Sequence, residues 1–483
     1  MRRTIINWGS MLFLLLGLMT GCGQEDGWVE MFDGASLNGW KAAESPESFQ
    51  VVDGTIVAGG PRGHLYYVGK DGAATFKNFE FTAEVKTTPG SNSGIYFHTA
   101  FQEEGWPARG YECQVLNSNR PVPDGEYVEH KMTGSLYAIR NVWKPIVPDN
   151  EWFRYHILVQ GKTVQIRIND LLVVDYTESE SPPRLDEMQE RLISSGTFAL
   201  QGHDPDSSVS YRNLRVRRLP DDSPSLGVPQ PDLELERHLI ELSGRNFPLI
   251  DLHGHLKGDL TLDQVLERAR LYGFTYGLAV NCGLFMTYPD EGALREFLME
   301  YQRNPLTYLA MQAEGREWTE IFSEKIREEF DYVFSDSMTW TNDDGKRMRL
   351  WIPEETEVGD PEKFMQMFVD RTVGILENEP IDIYVNPTYL PDSIASQYDE
   401  LWTEERMDRV IQALVENEIA LEINDRRRIP SPAFLKRAKA AGVKFTFGTN
   451  NGGADDLGHL AYCLEMTEEL GLESSDIWMP EVR

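Results

Sequence analysis

Phe79-Glu80-Phe81-Thr82-Ala83-Glu84-Val85 alternates apolar and polar residues with a period of two, and Thr163-Val164-Gln165-Ile166-Arg167-Ile168 repeats the pattern. Such alternation marks a strand with one face buried and one face wet. Runs of this kind, broken by Gly, Asn, Asp and Pro turns, fill the chain from Trp28 to about Pro220, and long amphipathic helical patterns are nearly absent there. The expectation is an antiparallel β-sandwich or jelly roll with one sheet face free for a ligand. Pro-Asp-Asp-Ser-Pro-Ser-Leu-Gly-Val-Pro-Gln-Pro at 220–231 is a polar, proline-rich linker and the clearest boundary.

Beyond the linker the period changes. Phe247-Pro248-Leu249-Ile250 leads to a helical pattern at Leu262 to Leu271 and then to Tyr276-Gly277-Leu278-Ala279-Val280. The rhythm recurs at 381–385, 407–415, 420–423, 432–441 and 443–447, so strands alternate with helices. That implies a parallel α/β fold, and the number of repeats suits a barrel better than an open sheet. The expected organisation is a signal segment at 1–21, a tether at 22–27, the all-β domain at 28–219, the linker at 220–232 and the barrel at 233–483.

Arg2 and Arg3 precede an apolar run through Met11-Leu12-Phe13-Leu14-Leu15-Leu16 and then Met19-Thr20-Gly21-Cys22. This reads as a bacterial lipoprotein signal with Cys22 as the lipidated residue, in place of a spanning helix. It points to a lipid-anchored protein of the cell envelope, periplasmic or at the cell surface; a plain secretory peptide is the alternative. Cys113, Cys282 and Cys463 then remain, scattered and without Cys-x-x-Cys spacing. They argue against a disulfide framework and against a thiolate zinc site. The formal charge of −32, from 78 acidic and 46 basic residues, argues against nucleic-acid binding and points to a neutral or cationic substrate, although solubility alone accounts for the charge.

In the strand signal Tyr111-Glu112-Cys113-Gln114-Val115-Leu116, Glu112 and Gln114 share one face, which puts an ionisable carboxylate on the sheet. That face is a candidate active-site floor, with a solvated strand residue or ion-pair partner as the bland alternative for Glu112. Trp40, Trp106, Trp143 and Trp152 are candidate sugar-stacking residues, of which Trp106 and Trp143 sit in loop-like contexts; burial in a sandwich core is the commoner fate of tryptophan.

Phe32-Asp33-Gly34, Leu37-Asn38-Gly39-Trp40, Asn92-Ser93-Gly94-Ile95, Gly110-Tyr111-Glu112-x-Gln114, Thr133-Gly134-x-Leu136-Tyr137, Glu151-Trp152, Leu200-Gln201-x-His203 and Arg212-Asn213-Leu214 occur in order over residues 28 to 217. Together they resemble the 3-keto-disaccharide hydrolase domain. The resemblance implies a concanavalin- or laminin-G-like jelly roll and cleavage of glycosides whose glucose unit is oxidised at its third carbon. A ketone at C3 acidifies the C2 proton, so one base, one oxyanion stabiliser and one acid suffice. The residues implicated are Glu112, His130 and Lys131 in catalysis and Asn92, Ser93, His98, Gln114, Tyr137, Gln201 and His203 in substrate binding. Such a site requires no cofactor, its partner is a neutral 3-keto-glycoside, and an upstream sugar 3-dehydrogenase would belong to the same pathway.

Asp251-Leu252-His253-Gly254-His255 follows a strand and precedes a helix, where barrel enzymes keep metal ligands. With Glu314, Asp331-Tyr332-Val333 and Leu421-Glu422-Ile423-Asn424, residues 247 to 472 resemble the polymerase and histidinol phosphatase (PHP) superfamily. Several of that family's ligand positions are occupied here by Asn281-Cys282, Met338, Asn386 and Asn450-Asn451-Gly452. His253, His255 and Glu314 are the remaining strong donors; a cluster of two or three metals is not expected, a single divalent metal is one option, and a ligand-free barrel kept as a rigid scaffold is the favoured one. Three readings are open: a 3-keto-glycoside-cleaving envelope enzyme, a non-catalytic carbohydrate-binding lipoprotein, and a metal-dependent phosphoesterase acting through the barrel.

Overall fold

A computed structural model describes residues 27–123, 126–342 and 344–481. The expected lipidation site and signal segment lie outside the described residues.

The first domain is an antiparallel sandwich of two sheets. One sheet runs, in spatial order, Leu171–Thr177, Thr163–Ile168, Phe153–Gln160, Phe79–Thr87, Ser208–Arg218, Thr55–Gly59 and Phe49–Val52, with Trp28–Glu30 also paired to Ser208–Arg218. The other runs Trp40–Ala43, Gly63–Tyr67, Thr197–Gly202, Asn92–Thr99 and Tyr111–Leu116. Alternation does what the sequence predicts: Phe79, Phe81, Ala83 and Val85 are buried while the residues between them are half-exposed. Phe81 stacks on Phe198 across the two sheets with ring centroids 4.9 Å apart. In the second sheet the strand Tyr111–Leu116 has no exposed position. Its Cys113 and Val115 join the inter-sheet core, which leaves Glu112 and Gln114 on the opposite face.

Seven parallel strands build the second domain, in chain order Ile250–Gly254, Thr275–Cys282, Thr307–Ala313, Tyr332–Ser335, Ile383–Tyr384, Ala420–Asn424 and Phe445–Gly448. Helices connect them, as parallel strands require. Just past the last strand, Asn450 N donates to His253 O of the first strand at 2.8 Å, and the first and last strands pack side by side, which makes the sheet a nearly closed barrel. Helix ends follow local chemistry. Thr261 and Gln264 form a capping box at the start of Leu262–Tyr272, and Gly273, at φ 75°, ends that helix.

The linker is not free chain. Lys77 and Asn78 donate to the carbonyls of Asp221 and Pro220, Gln160 donates to that of Pro224, and the amides of Leu226 and Gly227 donate to Thr163 Oγ1. The two domains also interlock directly. Trp143 leaves the sandwich, lies fully buried in the core of the barrel and donates from Nε1 to Gly273 O at 2.7 Å. A sugar-stacking role for Trp143 is thereby excluded. Arg140 and Glu236 form a buried ion pair at 3.4 Å, and Lys144 Nζ donates to Thr307 O at 2.7 Å.

Candidate functional site

Three neighbouring strands of the second sheet, Thr197–Gly202, Asn92–Thr99 and Tyr111–Leu116, form the floor of a cleft of about 340 Å³. In the register of the last two, Tyr96 faces Glu112 and Gly94 faces Gln114. Gly94 is necessary there: a Cβ on it would lie 2.8 Å from Glu112 Oε1. The glycine is a mid-strand space for the carboxylate, with neither a turn nor a bulge at that position.

Glu112 is buried, and each of its oxygens has a partner. Oε1 accepts from Gln201 Nε2 at 2.9 Å, and Oε2 faces both terminal nitrogens of Arg191 at 3.5 Å. Gln201 Nε2 also donates to the Tyr96 hydroxyl at 3.0 Å. Burial, then the charge of Glu112, pushes that hydroxyl well above the ordinary tyrosine range, so Tyr96 stays protonated beside the carboxylate. Gln114 Nε2 donates to Asn92 Oδ1 at 3.1 Å, and Asn92 Nδ2 approaches His203 Nε2 at 3.4 Å. His203 donates from Nδ1 to Asp204 Oδ2 at 2.8 Å, which leaves Nε2 toward the cleft. Arg120 pairs with the same carboxylate at 2.9 Å.

The wall opposite the floor comes from a loop. Glu129 accepts from the Tyr127 and Tyr137 hydroxyls at 2.9 and 3.0 Å and from Lys131 Nζ at 2.9 Å. Burial pushes the Glu129 carboxyl up, but the Lys131 ammonium and these hydrogen bonds outweigh it, and the net shift is downward. Burial and the charges of Glu129 and Glu112 push the Tyr137 hydroxyl far up, so it too is a protonated donor. At the rim Trp106 is partly exposed, with its ring 5.5 Å from His203, 5.6 Å from His64 and under the guanidinium of Arg62 at 5.2 Å.

Of the residues singled out from the sequence, Glu112, Gln114, Asn92, Tyr137, Gln201 and His203 meet in this cleft. Four do not line it. Ser93 points the other way, bonded to Gln201 O and the Tyr211 hydroxyl inside the sandwich. His98 adopts φ 55°, which turns its ring into the core against Phe79; Nδ1 accepts from Ser194 N and Nε2 donates to Lys77 O. Lys131 is fully buried behind Glu129, and His130 contributes its backbone amide to Asn246. Tyr96, Glu129 and Arg191 were not singled out. Tyr96 carried a readable signal, since it stands two residues after Gly94 on the Asn92 face; Arg191 is 79 residues from Glu112 on an irregular loop and carried none.

In the barrel, His253 and His255 lie with rings 5.2 Å apart. Their Nδ1 atoms donate to Glu422 at 2.6 Å and to Ala279 O at 3.1 Å, which leaves both buried Nε2 atoms without a hydrogen-bond partner. Glu314 is tied instead to Asn281 Nδ2 at 2.7 Å and to the Thr339 hydroxyl. Burial, then the charge of Asp336, pushes its carboxyl up to about 7. Among the described residues no group of three or more His, Cys, Asp or Glu side chains is placed to hold a metal ion. The set His253, His255 and Glu314 expected from the sequence is therefore not assembled, and two imidazoles alone fall short of a metal's usual three or four ligands.

Comparison with known proteins places the first domain. Residues 27–217 match the family model described as the 3-keto-alpha-glucoside-1,2-lyase-like domain. A curated 3-keto-disaccharide hydrolase of Bacteroides thetaiotaomicron is 32% identical over 174 residues, which are 31% of this chain and 59% of that protein. The match thus spans little more than half of the relative. Among solved structures, one assigned as a glycosyl hydrolase from Parabacteroides distasonis matches 40% of this chain and 94% of its own at 22% identity and a TM-score of 0.34. Histidinol phosphate phosphatase from Lactococcus lactis matches 48% of this chain and 98% of its own at 14% identity and a TM-score of 0.34. The sandwich at residues 27–217, which carries the cleft around Glu112, is thus similar along its length to the 3-keto-alpha-glucoside-1,2-lyase-like domain.

Proposed function

We propose that the protein cleaves 3-keto-glycosides in the Glu112 cleft by removal of the C2 proton and loss of the C1 aglycone. The observation that carries this reading is the placement of Glu112: a buried carboxylate in an open cleft, oriented by Gln201 and charge-balanced by Arg191. Glu112 takes the C2 proton, and the electron pair moves into an enolate at C2–C3. Arg191 and the protonated hydroxyl of Tyr96 are donors for the enolate oxygen, charge that develops only as the reaction proceeds. Collapse of the enolate restores the ketone, forms C1=C2 and expels the aglycone, which takes a proton from His203, whose ring Asp204 orients. Water added across C1=C2 completes hydrolysis. His203 stands in for His130 and Lys131 as acid in this reading, because neither of those two lines the cleft.

The test is aglycone release from a 4-nitrophenyl 3-keto-glucoside and from the unoxidised glucoside, together with C2 hydrogen exchange in heavy water. Glu112→Gln is expected to lower both readouts by about a hundredfold or more. His203→Ala is expected to spare C2 exchange and to slow release of alkyl or sugar aglycones far more than of nitrophenol. Full turnover in Glu112→Gln would remove Glu112 as base, and equal cleavage of the unoxidised glucoside would sink the ketone-dependent route. Binding of the keto-glycoside without release would favour the carbohydrate-binding reading.

The substrate class implies a supplying reaction that oxidises a glycoside at C3, that of a sugar 3-dehydrogenase. The lipoprotein-like sequence ending at Cys22 supports a lipid anchor in the bacterial envelope. Cys22→Ser is expected to move the protein from the membrane to the soluble fraction, and an unchanged distribution would reject the anchor.

A further inference from the structure

The barrel's first helix, Leu233–Gly244, is followed by Asn246, which adopts the left-handed conformation at φ 58° with its side chain buried. That side chain reaches across to the sandwich. Nδ2 donates to Val128 O at 2.6 Å, while Oδ1 accepts from His130 N at 3.0 Å and from Lys131 Nζ at 3.1 Å. The peptide groups held lie on either side of Glu129, whose carboxylate lines the cleft. Lys131 Nζ bridges the two, since it also donates to Glu129 Oε1 at 2.9 Å. Glu129 in turn holds the Tyr137 hydroxyl at 3.0 Å.

We infer that Asn246 of the barrel is a positioning residue for the cleft of the sandwich, acting through Glu129. A buried amide that satisfies both its donor and its acceptor on one short segment fixes that segment more tightly than any single contact, and losing it would leave the Val128 carbonyl and the Lys131 ammonium short of partners in a buried place. The rest of the interface supports the same excursion of chain, with Arg140 paired to Glu236 and Trp143 seated in the barrel core. The barrel thus has a role in catalysis that needs no chemistry of its own. The inference rests on the reading of the cleft as the reactive site.

The experiment uses the full chain and three variants: Asn246→Gly, which keeps the left-handed backbone accessible, Glu129→Gln, and the pair combined. Turnover of the nitrophenyl 3-keto-glucoside in Asn246→Gly is expected to fall about ten- to a hundredfold in kcat, with less change in KM. In the Glu129→Gln background the same substitution is expected to cost about twofold or less, because its effect passes through Glu129. An equal fold-loss in both backgrounds would show a merely structural role and overturn the inference. Amide hydrogen exchange at His130 and Lys131 is read in the same proteins and is expected to accelerate in Asn246→Gly. Unchanged protection there overturns the inference even if the wild type turns over no keto-glycoside, an outcome that on its own rejects only the proposed reaction.

Discussion

Gly94 shows how much a single residue can decide. Its motif signature was visible in the sequence, but the reason for glycine was not, because the atom it leaves room for belongs to the neighbouring strand. A Cβ at 2.8 Å from Oε1 and 3.1 Å from Cγ of Glu112 forces that side chain to move, and the hydrogen bond from Gln201 opposes the movement. Gly94→Ala is therefore expected to lower kcat about tenfold or more by misplacing the base, with little loss of thermal stability, since its φ is ordinary for an L-residue. Steady-state kinetics beside a melting curve checks this. His98 is the converse case. Strand parity puts it on the cleft face with Asn92 and Tyr96, yet its positive φ rotates the ring into the core, a departure that alternation cannot report.

At the scale of elements, the Tyr111–Leu116 strand ends its sheet, and an open edge there would invite pairing with other chains. The segment after it covers that edge: Gln114 N donates to Ser135 O, Tyr137 N donates to Glu112 O, and Cys113 bridges to Leu136. This cover delivers Tyr137 to the carboxylate. The same segment then enters the barrel at Trp143. Removing that indole deletes a fully buried side chain and leaves the Gly273 carbonyl without the indole donor. Trp143→Ala is expected to cost about 3 to 5 kcal/mol and to split a single thermal transition into two, one per domain. Calorimetry reads both effects, and one unshifted transition would show that the interface does not couple the domains. The strands were legible from alternation, whereas the sequence from Asn117 to Asn150 has no period to read, so Glu129 emerged only from packing, Tyr137 was legible only through its motif, and the place of Trp143 in the barrel was not legible at all.

Among the buried histidines of the described residues, His64 and His98 have side chains that burial pushes down to about 4. Both are more readily protonated when unfolded, near 6.5, so the unfolded chain binds more protons between those values and stability falls as pH drops through that window. Each shift is worth about 3 kcal/mol by the time the lower value is passed. The paired variant His64→Gln with His98→Asn is expected to flatten the dependence of melting temperature on pH between about 4 and 6.5, with asparagine chosen because it tolerates the left-handed backbone at His98. An unchanged slope would assign acid sensitivity to other groups. Among the described residues no helix is long and apolar enough to cross a membrane.

What the sequence determined by itself is local in origin. Alternation in Phe79–Thr87 and its neighbours sets which side of each strand is buried, and the strand–helix rhythm after Pro231 sets a parallel barrel, because both periods follow from the geometry of a single element. The side of the sheet that bears Glu112 and Gln114 follows in the same way. The tertiary structure alone decided which groups surround Glu112. Gln201 lies 89 residues from Glu112 along the chain and Arg191 lies 79, and Asn246 comes from another domain, 115 residues beyond the Lys131 it holds. Contacts at such separations depend on how whole sheets and domains pack, a quantity that no period along the chain records.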